Sequence, residues 1–91
     1  MAVVLRVDGS CEQVLPKQSP AFTLEELRGL VGGYLEFVAL VDGHMMVIDE
    51  ESKLKGLAYN EQVTLRARGS LFALDYIAGP AVVVSRQEMG E

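Results

Sequence analysis

A chain of 91 residues holds one domain, and a fold of that size buries only about 60% of the surface its unfolded chain exposes, so nearly every long apolar segment must enter the core. With 49% hydrophobic and 23% charged residues, the composition excludes the disordered class outside the ends. Thirteen acidic against eight basic residues give a formal charge of −5, which argues against the basic stripe of a DNA or RNA binder.

Val3, Val4, Leu5 and Val7 form a short aliphatic run that stops at Asp8-Gly9, a pair suited to a tight hairpin turn. The apolar stretch Ala2 to Leu5 ends at Arg6 and is too short for a signal peptide or membrane span, so a cytoplasmic location is expected. Cys11 is the single cysteine, which excludes an internal disulfide or a thiolate zinc site within one chain and fits a reducing compartment. Glu12 to Leu15 reads as the returning strand, and Pro16 and Pro20 bracket an irregular connector.

Thr23-Leu24-Glu25-Glu26 has the spacing of a capping box, in which Thr23 accepts from the Glu26 amide and the Glu26 carboxylate accepts from the Thr23 amide. Phe22 and Leu27 are placed for a hydrophobic staple, and Leu24, Leu27, Leu30 and Val31 share one helical face. Gly32-Gly33 supplies a residue able to take the left-handed conformation that closes a helix.

From Tyr34 to Val41 the period changes to that of a strand with two largely apolar faces, predicted as the centre of the sheet. Asp42-Gly43 is a second hairpin signal, with His44 to Ile48 as the antiparallel partner. The run Asp49-Glu50-Glu51-Ser52-Lys53 reads as a solvated charged turn. Asn60 is placed to cap a short helix through Leu65, although Val63 to Arg68 also fits a strand, and Leu71 to Ala78 fits either. Ala81 to Ser85 carries three consecutive valines and is predicted as a buried strand. A strand apolar on both faces needs two covering layers, supplied either by residues 60–77 or by a second copy of the chain.

Candidate chemistry is sparse. His44, the only histidine, follows a hairpin glycine without a nucleophile elbow, so it and Cys11 are read as structural rather than catalytic. The glycines at 29, 32 and 33 sit at the C-terminal end of the helix rather than before it, the wrong end for a phosphate. Asp49, Glu50 and Glu51 lack the ligand alternation of a calcium loop. Tyr34, Glu36, Lys53, Lys55 and Asn60 flank the second hairpin and its exit loop, where polar groups can converge on a ligand or partner.

The stretch Val31-Gly32-Gly33-Tyr34-Leu35-Glu36, continued by the acidic turn, Lys53-Leu54-Lys55-Gly56-Leu57 and Asn60, resembles the 3846 family of domains of unknown function. Asp75-Tyr76-Ile77-Ala78-Gly79 and the valines at 82–84 match the family's closing segment, so the resemblance spans about residues 3–85. Ser52 stands where the family turn usually has glycine, and Ala58-Tyr59 replaces a commonly proline-containing pair. The resemblance implies a setting in bacteria, their phages and other mobile elements, and no assigned reaction. Its recurrent positions are Gly33, Tyr34, Glu36, Lys53, Gly56 and Asn60.

The expected fold is a single α+β domain over residues 1–86, with a frayed polar tail at 87–91. Its sheet is antiparallel or mixed, of four to five strands, with one capped helix and a second short helix as an option. Thr23, Glu26, Gly33, Gly43 and Gly56 are assigned structural roles. Tyr34, Glu36, Lys53 and Asn60 form the candidate binding set, with no catalytic residue, metal or cofactor assigned. The expected function is a non-enzymatic binding or accessory module for a protein or small polar ligand, as a monomer or homodimer, without direct nucleic-acid or membrane binding. The alternatives are a counter-defence protein that sequesters a nucleotide signal or mimics DNA, and a small hydrolase or transferase.

Overall fold

The computed structural model describes residues 2–17, 21–40, 42–67 and 76–89. Two hairpins come first. Strands β1 (Ala2–Leu5) and β2 (Cys11–Val14) pair antiparallel, and so do β3 (Leu35–Ala39) and β4 (Met45–Asp49). Helix α1 (Leu24–Val31) joins the hairpins, and the short helix α2 (Glu61–Arg66) follows them. Strand β5 (Ala81–Val84) then inserts between β1 and β4, antiparallel to both, giving the order β2-β1-β5-β4-β3. The expected α+β class is therefore realised as a five-stranded, wholly antiparallel sheet with two helices among the described residues.

The expectation that Tyr34 to Val41 forms the sheet's centre is corrected. Strand β3 lies at the edge, its residues exposed or half-buried, whereas all four residues of β5 are buried. Two-sided apolarity marks both strands in the sequence. Only β5 receives a neighbour on each side, and Phe37 on β3 remains 43% exposed.

Both sheet faces are covered within one chain. Alternation along the strands sends Ala2, Val4, Val47, Val82 and Val84 toward α1, where they pack with Phe22, Leu27 and Val31. The opposite set, Leu5, Met46, Ile48, Ala81 and Val83, packs with Val63 and Ala67 at α2 and with Ile77. Of the two covers considered for the second face, residues from 60–77 therefore supply one. The choice between helix and strand there is settled as helix over Glu61–Arg66; residues 68–75 lie outside the described part.

Local chemistry explains the element ends. The Thr23 hydroxyl accepts from the Glu26 amide at 3.1 Å and the Glu26 carboxylate accepts from the Thr23 amide at 3.0 Å, completing the capping box. Gly32 closes α1 at φ 97°, a left-handed conformation that side chains resist. Both hairpins turn alike: Asp8 accepts from the Ser10 amide and Asp42 from the His44 amide, with Gly9 and Gly43 at positive φ. No aspartate has positive φ among the described residues, so neither turn is the two-residue type expected from Asp-Gly.

The expected fraying from residue 87 is corrected over Gln87–Met89, which form a 3-10 turn. Glu88 is buried there, its carboxylate accepts from the Ser85 amide, and its carbonyl accepts from the Phe22 amide. Among the described residues no helix is long and apolar enough to cross a membrane.

The strand order makes a direct prediction. Truncating Val82, fully buried in the central strand, removes two methyl groups and leaves a cavity, at about 2 kcal/mol or more. Val38→Ala, at the half-buried edge, costs about 1 kcal/mol or less. Urea denaturation of both variants checks this; a larger loss at Val38 would contradict the order.

Candidate functional site

The connections converge at one end of the sheet. Leu5 pairs with Cys11 and Ala81, Ala81 with Ile48, and Asp49 with Leu35. The β1–β2 turn, the exit from α1, the loop after β4 and the approach to β5 therefore share that end. The β3–β4 turn, with His44, lies at the other.

Asn60 ties this end together. Its side-chain amide donates to the Leu5 carbonyl at 3.1 Å and the Gly79 carbonyl at 2.9 Å, and its oxygen accepts from the Val63 amide at 3.3 Å to cap α2. It is 1% exposed. Asn60 is thus a buried structural residue rather than part of an exposed binding set: its side-chain amide and its oxygen bond the chain itself. The Thr64 hydroxyl accepts from the Ile77 amide at 2.8 Å, and Gly79 donates to the Ala58 carbonyl. These bonds hold residues 76–79 against α2 and beside Tyr59.

The acidic turn is not uniformly solvated as expected. Asp49 is 2% exposed, and Ser52 is also buried. The Lys55 ammonium donates to Asp49 at 2.7 Å and the Glu51 amide donates to the other carboxylate oxygen at 2.9 Å. Burial pushes the Asp49 pKa up, but the Lys55 hydrogen bond, the Glu51 amide and the Lys55 charge together hold it below its ordinary 3.8. Lys55 also reaches the Gly32 carbonyl at 3.5 Å, at the negative end of the α1 dipole. A Cβ on Gly33 would lie 2.5 Å from this ammonium and 2.8 Å from the carboxylate, so Gly33 makes room for the pair. Gly56, at φ 68°, turns the chain after it.

The remaining candidates divide. Tyr34 is 64% exposed and lines a depression of about 430 Å³ with Arg28, Glu51 and Lys55. Glu36 and Lys53 instead meet around a recess of about 200 Å³ with Glu50, Val38, Ile48 and Tyr76. The Lys53 ammonium stands 4.3 Å from the centre of the Tyr76 ring, within cation–π range. Tyr59 meets the same ring edge-on, centres 5.9 Å apart. Tyr59 and Tyr76 are 51% and 43% exposed, and Leu54 on the recess wall is 86% exposed.

Sequence reasoning missed both tyrosines. They are seventeen positions apart (76 − 59) and meet only because Tyr59 pairs with Ala78 across a single bridge. A wider groove of about 710 Å³ runs between β2 and α1, but its Thr23 and Glu26 are already engaged in capping α1.

Catalytic groups are kept apart. Cys11 lies on edge strand β2, and His44 lies in the turn between edge strand β3 and β4 at the opposite end of the sheet, with Asp42 3.1 Å from its ring. Four strand spacings alone separate β2 from β3 by about 19 Å. Among the described residues, no three His, Cys, Asp or Glu side chains gather as metal ligands would.

The model of the family described as Domain of unknown function (DUF3846) matches residues 1–91, and the chain belongs to that family. Neither the curated proteins nor the solved structures compared with it give a match.

Two measurements probe this end. Asn60→Ala loses the helix cap and leaves two carbonyls without their donor, about 3 kcal/mol in total. Asn60→Asp keeps the capping oxygen but turns a second oxygen on those carbonyls, so thermal unfolding should show it no more stable than the alanine variant. For Asp49 the folded pKa lies below the unfolded one, so its contribution is complete above about pH 4 and disappears as pH falls through the folded value. The stability gap between the wild type and Asp49→Asn should therefore narrow on acidification; a gap constant from pH 6 to pH 2 would contradict the pairing.

Proposed function

We propose that this member of the DUF3846 family is a non-enzymatic binding module that engages a protein partner through Tyr59, Tyr76, Lys53 and Leu54. The observation that carries this reading is the exposed tyrosine pair, anchored by main-chain and Thr64 hydrogen bonds on both sides of the bridge. Rigid, half-exposed aromatics beside an exposed leucine offer large contact area at little entropic cost, as interface anchors do. The proposal places the protein in the cytoplasm as an accessory factor of a mobile element, which fits its lone exposed cysteine and the resemblance noted above.

The other readings have less support. A hydrolase or transferase built on Cys11 and His44 is opposed by their separation. The recess itself does not suit a nucleotide, because Glu36 and Glu50 line it and its volume falls below the roughly 300 Å³ of small-ligand pockets. DNA mimicry needs spaced rows of free carboxylates, yet Glu12 pairs with Arg6, Asp42 with His44 and Asp49 with Lys55. A homodimer is not required to shelter the sheet, because α2 and Ile77 already do so.

Affinity capture from the native host tests the proposal. A Tyr59→Ala, Tyr76→Ala double variant should lose the protein that the wild type retains, and Leu24→Ala, on an equally exposed residue of α1, should keep it. Retention by the tyrosine variant would sink the assignment of this surface.

A further inference from the structure

We infer that the depression at the C-terminal end of α1 binds a free α-amino acid with an aromatic side chain. Its carboxylate meets Arg28, its ammonium meets Glu51 and the last carbonyls of α1, and its ring lies against Tyr34. The site is separate from the tyrosine-pair surface and goes beyond the partner-binding reading.

The charges of the depression select a zwitterion. Arg28, Tyr34, Glu51 and Lys55 line it. The Lys55 ammonium is already held by the buried Asp49 carboxylate at 2.7 Å and reaches the Gly32 carbonyl at 3.5 Å, so that pair adds no net charge. Among the described residues, neither the Arg28 guanidinium nor the Glu51 carboxylate has an ion-pair partner, and the two do not pair with each other. One guanidinium and one carboxylate unpaired in the same depression suit a ligand that carries both signs. A purely anionic ligand would meet Glu51, and a purely cationic one Arg28.

The end of the helix favours the same orientation. The carbonyls of Gly29, Leu30 and Val31 accept from no described group, and with the helix dipole they draw a positive group to this end. Gly29 also lines the depression, although it lies inside α1, where glycine weakens a helix. A Cβ at that position would meet nothing within 4 Å, so packing within the chain does not demand glycine, and the missing side chain leaves the floor open to a ligand.

Size and rigidity agree. The volume of about 430 Å³ falls within the roughly 300–1,000 Å³ of small-ligand sites. The Tyr34 ring is 64% exposed and offers a surface on which a second ring can stack or meet it edge-on. Its main chain is fixed by the Glu50 amide, which donates to the Tyr34 carbonyl at 2.8 Å.

The test titrates the full chain with L-phenylalanine and follows backbone amide resonances by NMR. Phenylalanine amide lacks the carboxylate, 3-phenylpropionate lacks the ammonium and glycine lacks the ring. Phenylalanine should shift Gly29, Gly33, Tyr34 and Glu51 saturably, and each control should bind at least about fivefold more weakly, the equivalent of one charge-assisted hydrogen bond at an exposed site. Arg28→Gln should weaken phenylalanine by a similar factor without weakening the amide. Glu51→Gln should do the same without weakening phenylpropionate, and Tyr34→Ala should bring phenylalanine toward the affinity of glycine. Retained spectral dispersion verifies that each variant is folded.

No saturable shift below about 10 mM, saturable shifts confined to other surfaces, equal binding of any of the three controls, or phenylalanine binding unchanged by Arg28→Gln and Glu51→Gln would each overturn the inference. None of these readouts involves a partner, so capture through Tyr59 and Tyr76 stands or falls separately.

Discussion

Ala81–Val84 must be buried on both faces and hydrogen-bonded along both edges, and the two hairpins that satisfy it are complete long before it appears in the chain. Val83 faces Val3 on one side and Met46 on the other. Neither hairpin alone buries a full face, so the sheet becomes one cooperative unit only when the last strand arrives. Such pairing between distant residues delays folding until a long loop is closed. It also requires two covering layers, which α1 and α2 supply from opposite sides.

Inserting β5 brings the chain's connections to one end of the sheet, where main-chain groups leave the ladders and need other partners. Two polar side chains meet that need. Asn60 bonds the carbonyls at the ends of β1 and before β5 while starting α2. Asp49 gathers the Glu51 amide and the Lys55 ammonium, which in turn reaches the end of α1. Among the described residues, no buried side-chain nitrogen or oxygen lacks a partner, so this end is a satisfied network and a firm platform. The tyrosine pair and the recess stand on it, positioned by residues whose polar groups bond within the chain.

The positions singled out by the family resemblance therefore divide between this platform and the surface proposed for binding. At Gly33, Gly56 and Asn60 the platform requires the residue itself: room for an ion pair, a left-handed turn and a buried amide. Tyr34, Glu36 and Lys53 face solvent, and of these the recess gathers Glu36 and Lys53. Grouping Asn60 with Tyr34, Glu36 and Lys53 in one candidate binding set joined a buried residue to three exposed ones.

Local sequence determined what depends on neighbours within a few positions. The capping box at Thr23 and Glu26, the cap at Asn60, both Asp-Gly turns and the valine-rich last strand were legible because their hydrogen bonds or periodicity close within a few residues. The α+β class followed from them. Tertiary structure alone decided which two-sided apolar strand is central, since Tyr34 to Val41 and Ala81 to Ser85 look equally greasy until a neighbour is assigned to each edge. It also decided that Asp49 is buried and that Tyr59 meets Tyr76. Burial and contact at those positions depend on segments far apart in the chain, and no short-range pattern encodes which of them the sheet will bring together.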